Sequence, residues 1–232
     1  MLNNQYWVVI PAAGIGTRME ADCPKQYLTI HAKPILQHTI ERFDFPMIAG
    51  IVVSLAKQDT YWEKLTLNIN VPLFIAEGGK ERYHSVFNSL LALKNRARPD
   101  DWVLVHDAAR PCVRQSDVQN LMQQLSIHPV GGLLGIPVRD TLKRTNAHNH
   151  VTETVNREGL WHALTPQMFR YDLLYKALSV IIATHEMITD DAQAMEKLGY
   201  TPVFIEGHAD NIKITRPQDL ALATLYLQAL AL

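Results

Sequence analysis

The chain has 232 residues, with 22 Lys and Arg against 23 Asp and Glu, enough for one sizeable α/β domain and without the overall basic field that holds a nucleic-acid backbone. An apolar fraction of 47% beside 19% charged residues excludes a disordered chain. The two cysteines, Cys23 and Cys112, are neither clustered as in a zinc site nor dense enough for a disulfide scaffold, which suits free thiols in a reducing cytoplasm.

In chain order, short apolar runs alternate with helical patterns, as in a parallel sheet built from βαβ units. Trp7 to Pro11, Ile51 to Leu55, Leu73 to Ala76, Val103 to His106, Leu133 to Val138 and Pro202 to Ile205 are the nearly continuous runs expected of buried parallel strands. Val86, Leu90 and Leu93 form one stripe between Glu81 and Arg96, and Ser116 to Leu125 repeats that logic. A helix is predicted from Asp191 to Leu198, stopping at Gly199, and another after Arg216 with Pro217 near its start.

Arg139 to Arg157 lacks a core-facing stripe. Thr141, Lys143 and Thr145, then Val151, Glu153 and Val155, flank the turn-prone Asn146 to His150, which predicts a β-hairpin arm suited to packing on a second subunit. The first residues carry no basic n-region, so no cleaved leader is expected. Leu220 to Leu232 is too short to span a bilayer, so a packed closing helix is expected and no membrane.

Two segments carry chemistry. PAAGIGTRM, Pro11 to Met19, follows the first strand directly, where open α/β sheets bind ligands. Ala12, Ala13, Gly14 and Gly16 let backbone N–H groups approach a triphosphate. A dinucleotide fingerprint would need Gly or Ala at Met19, and the Gly-Lys-Ser/Thr of a P-loop is absent from the sequence. Arg18 and, after a short loop, Lys25 supply cations that can neutralise a transferring phosphoryl group. The second segment, WVLVHDAARP, ends its strand at His106 and Asp107. Asp107 is the metal candidate, because Mg2+ needs only one or two carboxylates beside phosphate oxygens and water. The alternatives for Asp107 are a helix cap or a partner for Arg110, and His106 reads as hydrogen-bonded structure.

These segments occur in order with PKQYL (Pro24 to Leu28), PVRDTLKR (Pro137 to Arg144), LWHALTPQMF (Leu160 to Phe169), ITDDA (Ile188 to Ala192) and DNIKIT (Asp210 to Thr215). As a set spanning nearly the whole chain, they resemble the 2-C-methyl-D-erythritol 4-phosphate (MEP) cytidylyltransferases of non-mevalonate isoprenoid biosynthesis. The resemblance implies an α/β, Rossmann-like nucleotidyltransferase fold: a mostly parallel twisted sheet flanked by helices, with the arm at about 138–158 protruding from a single domain over 1–232. It implies CTP and MEP as substrates, Mg2+ (or Mn2+) as cofactor, a cytoplasmic enzyme, and a homodimer formed through the arm.

By motif, Arg18, Lys25 and Lys213 match the family's catalytic phosphate-binding cations, and Asp107 its metal-associated aspartate. Arg157 matches the arginine inserted into the neighbour's MEP site, and Arg110, Thr141 and Thr189 match positions near the polyol phosphate. Groups around Ala12 to Gly14, the turn at Gly78, Gly79 and Lys80, and Ser85 match the cytosine site. Lys80, Thr17 and Gln193 depart from residues frequent in relatives. The rival readings are a cytidylyltransferase for ribitol phosphate or another sugar phosphate, and a nucleotide-binding module without turnover, which would not need Arg18, Lys25 and Asp107 together.

Overall fold

The computed structural model describes residues 4–14 and 23–230. Its centre is a seven-stranded sheet made of β1 (Tyr6–Pro11), β4 (Ile48–Leu55), β5 (Leu73–Glu77), β6 (Trp102–Val105), β7 (Gly131–Pro137), β10 (Trp161–Arg170) and β11 (Val203–Glu206). Their spatial order is β11-β7-β10-β6-β1-β4-β5. β1 runs parallel to β4 and β6, β4 to β5, and β11 to β7. β10 alone is reversed, antiparallel to both β6 and β7.

Alternation along each strand feeds two cores. Val8 and Ile10 of β1, with Trp102 and Leu104 of β6, join one cluster, whereas Trp7, Val9, Val103 and Val105 join the other. Helices α1 (Ile35–Glu41) and α3 (Gln115–Leu125) cover the first face through Leu36, Ile40, Leu121 and Leu125. Helices α2 (Arg82–Leu93), α4 (Tyr171–Thr184) and α5 (Asp191–Lys197) cover the second through Val86, Leu90, Leu174, Leu178 and Met195. The last helix, α6 (Pro217–Ala229), packs Ala223 and Leu227 against Ile30 and Ile35, beside the small hairpin of β2 (Thr29–Ile30) and β3 (Lys33–Pro34).

The six strands read from the sequence are those of the parallel framework, each displaced by no more than a few residues, and His106 falls just beyond β6 rather than within it. The arm is an antiparallel pair, β8 (Leu142–Thr145) and β9 (Val151–Val155), with most residues exposed. Three larger elements were not anticipated: α1, β10 and α4. β10 carries Pro166 and several polar residues and passes without a gap into α4, so neither apolar continuity nor turn punctuation marks it.

Candidate active site

The carboxyl ends of β1 and β6 and the start of α2 open on a common cleft of about 320 Å³, lined by Ala12, Ala13, Gly14, Lys25, Gln26, Gly79, Lys80, Ser85, Asp107 and Lys213, among others. β1 and β6 are neighbours in parallel register, so the loops that leave them face the same edge. Gly16 and Arg18 lie outside the described residues.

The glycine loop is held from behind. Gln26, buried in the 3-10 turn Lys25–Tyr27, donates its side-chain amide to the carbonyls of Ala12 at 2.7 Å and Gly14 at 3.1 Å. The opposite wall is the turn before α2, where the Gly79 N–H donates to Ser85 Oγ at 3.0 Å. A Cβ at Gly78 would meet the Ala13 Cβ of the facing loop at 2.2 Å, so the close approach of the two walls requires glycine there, and one at Gly79 would meet the His84 Cβ of α2 at 2.3 Å, so the tight turn into that helix requires the second.

Asp107 is the hub of the cleft floor. Arg82 Nε lies 2.9 Å from its Oδ1, Lys213 Nζ 2.9 Å from its Oδ2, and Arg110 Nε 3.5 Å from Oδ2. Burial alone would raise this carboxyl, but Arg82, Lys213 and Arg110 outweigh it and hold the group far below the usual carboxylate range. The pairing of Asp107 with Arg110, raised from the sequence as the alternative to a metal role, is therefore present, together with two shorter contacts. Arg82 reaches further, placing Nη1 2.8 Å from Oδ2 of the fully buried Asp191. Burial would lower its guanidinium, and Asp191 and Asp107 together push it up instead.

Lys25 donates to the carbonyl of Ile214 at 2.9 Å, which brings its ammonium beside the segment bearing Lys213. Arg110 donates to the carbonyl of Asn211 at 2.6 Å, behind the cleft. His106 is structural, as its strand-end position suggested: one ring nitrogen is 3.0 Å from Thr165 Oγ1 and the other 3.0 Å from the Arg110 carbonyl. Its burial lowers it to about 4, so it stays neutral. Because the Asp107 N–H donates to Thr165 Oγ1, that hydroxyl donates to His106 Nδ1, leaving Nε2–H for the Arg110 carbonyl.

Thr189 lines a smaller adjoining pocket of about 60 Å³ with Glu81, Arg82 and Asp190. Thr141 and Arg157 sit on the arm and line neither pocket; Arg157 donates to the carbonyl of Arg139. Arg82 and Gln26 were missed as candidates. Arg82 stands in a helix start that reads as an ordinary polar face, and Gln26 is adjacent to Lys25 in a motif singled out for its lysine.

Among the described residues no group of three or more His, Cys, Asp or Glu side chains is gathered to hold a metal. Asp107 offers the single carboxylate that a hard cation needs beside phosphate oxygens and water. Its Oδ1 is engaged by Arg82 and its Oδ2 by Lys213 and Arg110, so a cation there would have to displace the most exposed of the three, Lys213 (38%).

A small-residue loop and a cationic cleft at the carboxyl edge of a mostly parallel sheet define a Rossmann-like nucleotidyltransferase. The chain belongs to the 2-C-methyl-D-erythritol 4-phosphate cytidylyltransferase family, whose model matches residues 6–229. It is 50% identical over 220 residues to the cytidylyltransferase of that name from Vibrio vulnificus strain YJ016, covering 94% of this chain and 93% of the relative. The Pseudomonas fluorescens strain SBW25 protein of the same name is 51% identical over 217 residues, 93% of this chain and 92% of the relative. The crystal structure of a 4-diphosphocytidyl-2C-methyl-D-erythritol synthase superposes with a TM-score of 0.85 at 36% identity, over 97% of this chain and all of that one (100%). The Francisella tularensis MEP cytidylyltransferase gives 0.83 at 34% identity, over 96% and 100%.

Proposed function

We propose that the chain transfers CMP from CTP to 2-C-methyl-D-erythritol 4-phosphate, releasing pyrophosphate, in isoprenoid precursor biosynthesis. The convergence of Lys25 and Lys213 on a cleft floored by Asp107 and walled by the Ala12–Gly14 loop carries this reading. An acceptor phosphate oxygen attacks the α-phosphorus of CTP. As that P–O bond forms, the bond from the α-phosphorus to the bridging oxygen breaks and pyrophosphate departs with the electron pair. The nucleophile is already an anion and needs no general base, consistent with a neutral, buried His106. Both reactants are negative, so cationic stabilisation and alignment supply most of the acceleration.

In this reading Arg18, Lys25 and Lys213 hold the phosphates. Ala12, Ala13, Gly14, Gly16, Gly79, Lys80 and Ser85 hold the nucleotide, and Thr189 the acceptor side; Arg110, expected there by resemblance, lies behind the cleft and braces Asp107 instead. Asp107 holds a divalent ion, Mg2+ or Mn2+, which when bound spreads the phosphate charge. Lys213 leaves Asp107 for a phosphate oxygen as substrate enters, exchanging one anion for another.

The chain is one nucleotidyltransferase domain whose arm, at about 138–158, completes a second copy's acceptor site with Thr141 and Arg157. The projecting, mostly exposed arm, with Val151 62% exposed, supports this homodimer. No helix among the described residues is long and apolar enough to cross a membrane; the cytoplasm is the proposed location, on the ground of the free thiols Cys23 and Cys112.

The test is pyrophosphate release from each of the four nucleoside triphosphates with Mg2+, with and without MEP. Release with CTP plus MEP only is expected. Release with ribitol phosphate in place of MEP would change the acceptor, and no release with any acceptor would leave a binding module.

A further inference from the structure

We propose that Arg82 is a positioning residue for the transfer, locking the cleft carboxylate Asp107 and the start of α5 into one frame. This rests on the function proposed above and adds a residue to it. Arg82 is the first residue of α2, and its guanidinium spans two other elements. Nε meets Asp107, in the loop after β6, at 2.9 Å, and Nη1 meets Asp191, the first residue of α5, at 2.8 Å. Both carboxylates are sequestered, with side-chain exposures of 10% and 0%.

The planar fork of an arginine fixes the angle between its two bonds, which a lysine cannot do from one ammonium. Arg82 is also the residue common to the lining of both pockets alongside Glu81, so it stands at the seam between the nucleotide cleft and the pocket containing Thr189. The other end of that seam is already rigid. Gln167 of β10 donates to Asp190 at 2.9 Å and accepts from the Ala192 N–H at 2.8 Å. Lys213, the more exposed partner of Asp107, is the one drawn to phosphate, and Arg82 is the one that stays.

The experiment compares wild type, Arg82→Lys, Asp191→Asn and the double variant by steady-state kinetics with CTP and MEP, with melting curves in parallel. Misplacement of about 1 Å between reacting partners can cost up to about a hundredfold, so Arg82→Lys is expected to lower kcat about tenfold or more and to raise KM for MEP. KM for CTP is expected to rise less than KM for MEP, because the backbone contacts of the glycine loop are untouched although Asp107 floors the same cleft. Asp191→Asn moves the same parameters less, and the double variant is no slower than Arg82→Lys, since both act through one bridge.

A purely structural role would lower the melting temperature and leave kcat of the folded enzyme unchanged. That result, or additive losses in the double variant, overturns the assignment. If Arg82→Lys does not fold, Asp191→Asn decides alone: unchanged kcat and KM for MEP would overturn it. A wild type that releases no pyrophosphate overturns the proposed function with it, whereas an active wild type with unaltered variants overturns the role of Arg82 only.

Discussion

Lys213 combines a short contact to Asp107, 2.9 Å, with a side chain still 38% exposed, which makes it the exchangeable cation of the cleft. Replacing it with Met removes the proposed phosphate partner but leaves Asp107 with Arg82 and Arg110. The expected outcome is a loss of about a hundredfold or more in kcat with little change in melting temperature, read from pyrophosphate release and thermal denaturation. Cys112 is the opposite case. Its thiol is fully buried, and burial pushes it up to about 12. Thiolate is the reactive form, so at pH 8 a thiol reagent should leave Cys112 untouched in the native protein and modify it only after unfolding, as peptide mapping would show. At this scale the sequence was legible where a carboxylate or a run of small residues directly follows a strand, as at Asp107 and the glycine loop. It was opaque for Arg82, whose partners lie 25 and 109 residues away, a distance at which no local pattern can report.

The turn before α2 shows how an element depends on what it touches. A Cβ on Gly79 would lie 2.3 Å from that of His84, so Gly79→Ala is expected to push the turn off the Ser85 hydroxyl. KM for CTP should then rise while the fold persists, measurable by nucleotide titration and circular dichroism. At the start of α6, Asp219 accepts from the N–H groups of Thr215 and Arg216 and from the Thr215 hydroxyl, each at 2.8 Å. Burial would raise this carboxyl, but those donors outweigh it and lower it. A carboxyl lower in the folded than in the unfolded chain stabilises above its unfolded value and loses that contribution as pH falls through the folded one. Asp219→Ala should therefore cost about 1 kcal/mol at neutral pH, and the gap from wild type should close in strong acid, as denaturant melts across pH would reveal. The central parallel strands β1, β4 and β6 were readable because burial on both faces demands apolar continuity, and the edge strands β5 and β11 because their short β-branched and aromatic runs keep the same look while partly exposed. β10 was not, because the polar Thr165 and Gln167 that it contributes are consumed in holding His106, Asp107 and α5.

For the molecule as a whole, the arm has its own two-stranded sheet and almost no cover. If it embraces a second copy, a chain with residues 142–155 replaced by a short glycine-serine turn should sediment as a monomer and lose turnover with MEP while still binding CTP. A variant that remains dimeric would reject the arm as the means of association.

The single reversed strand has a further consequence for the chain as it is being made. β6 and β7 both precede β10, yet neither has its sheet neighbour on that side until residues 161–170 arrive. A nascent chain can assemble the block of β1, β4, β5 and β6, but that block carries an open edge beside the wholly buried Trp102–Val105 segment, and such an edge invites pairing with other chains. A chain terminated anywhere between β6 and β10 should consequently be not a smaller soluble domain but a sticky half-sheet, and the full-length nascent chain should depend on chaperones until residues 161–170 are synthesised.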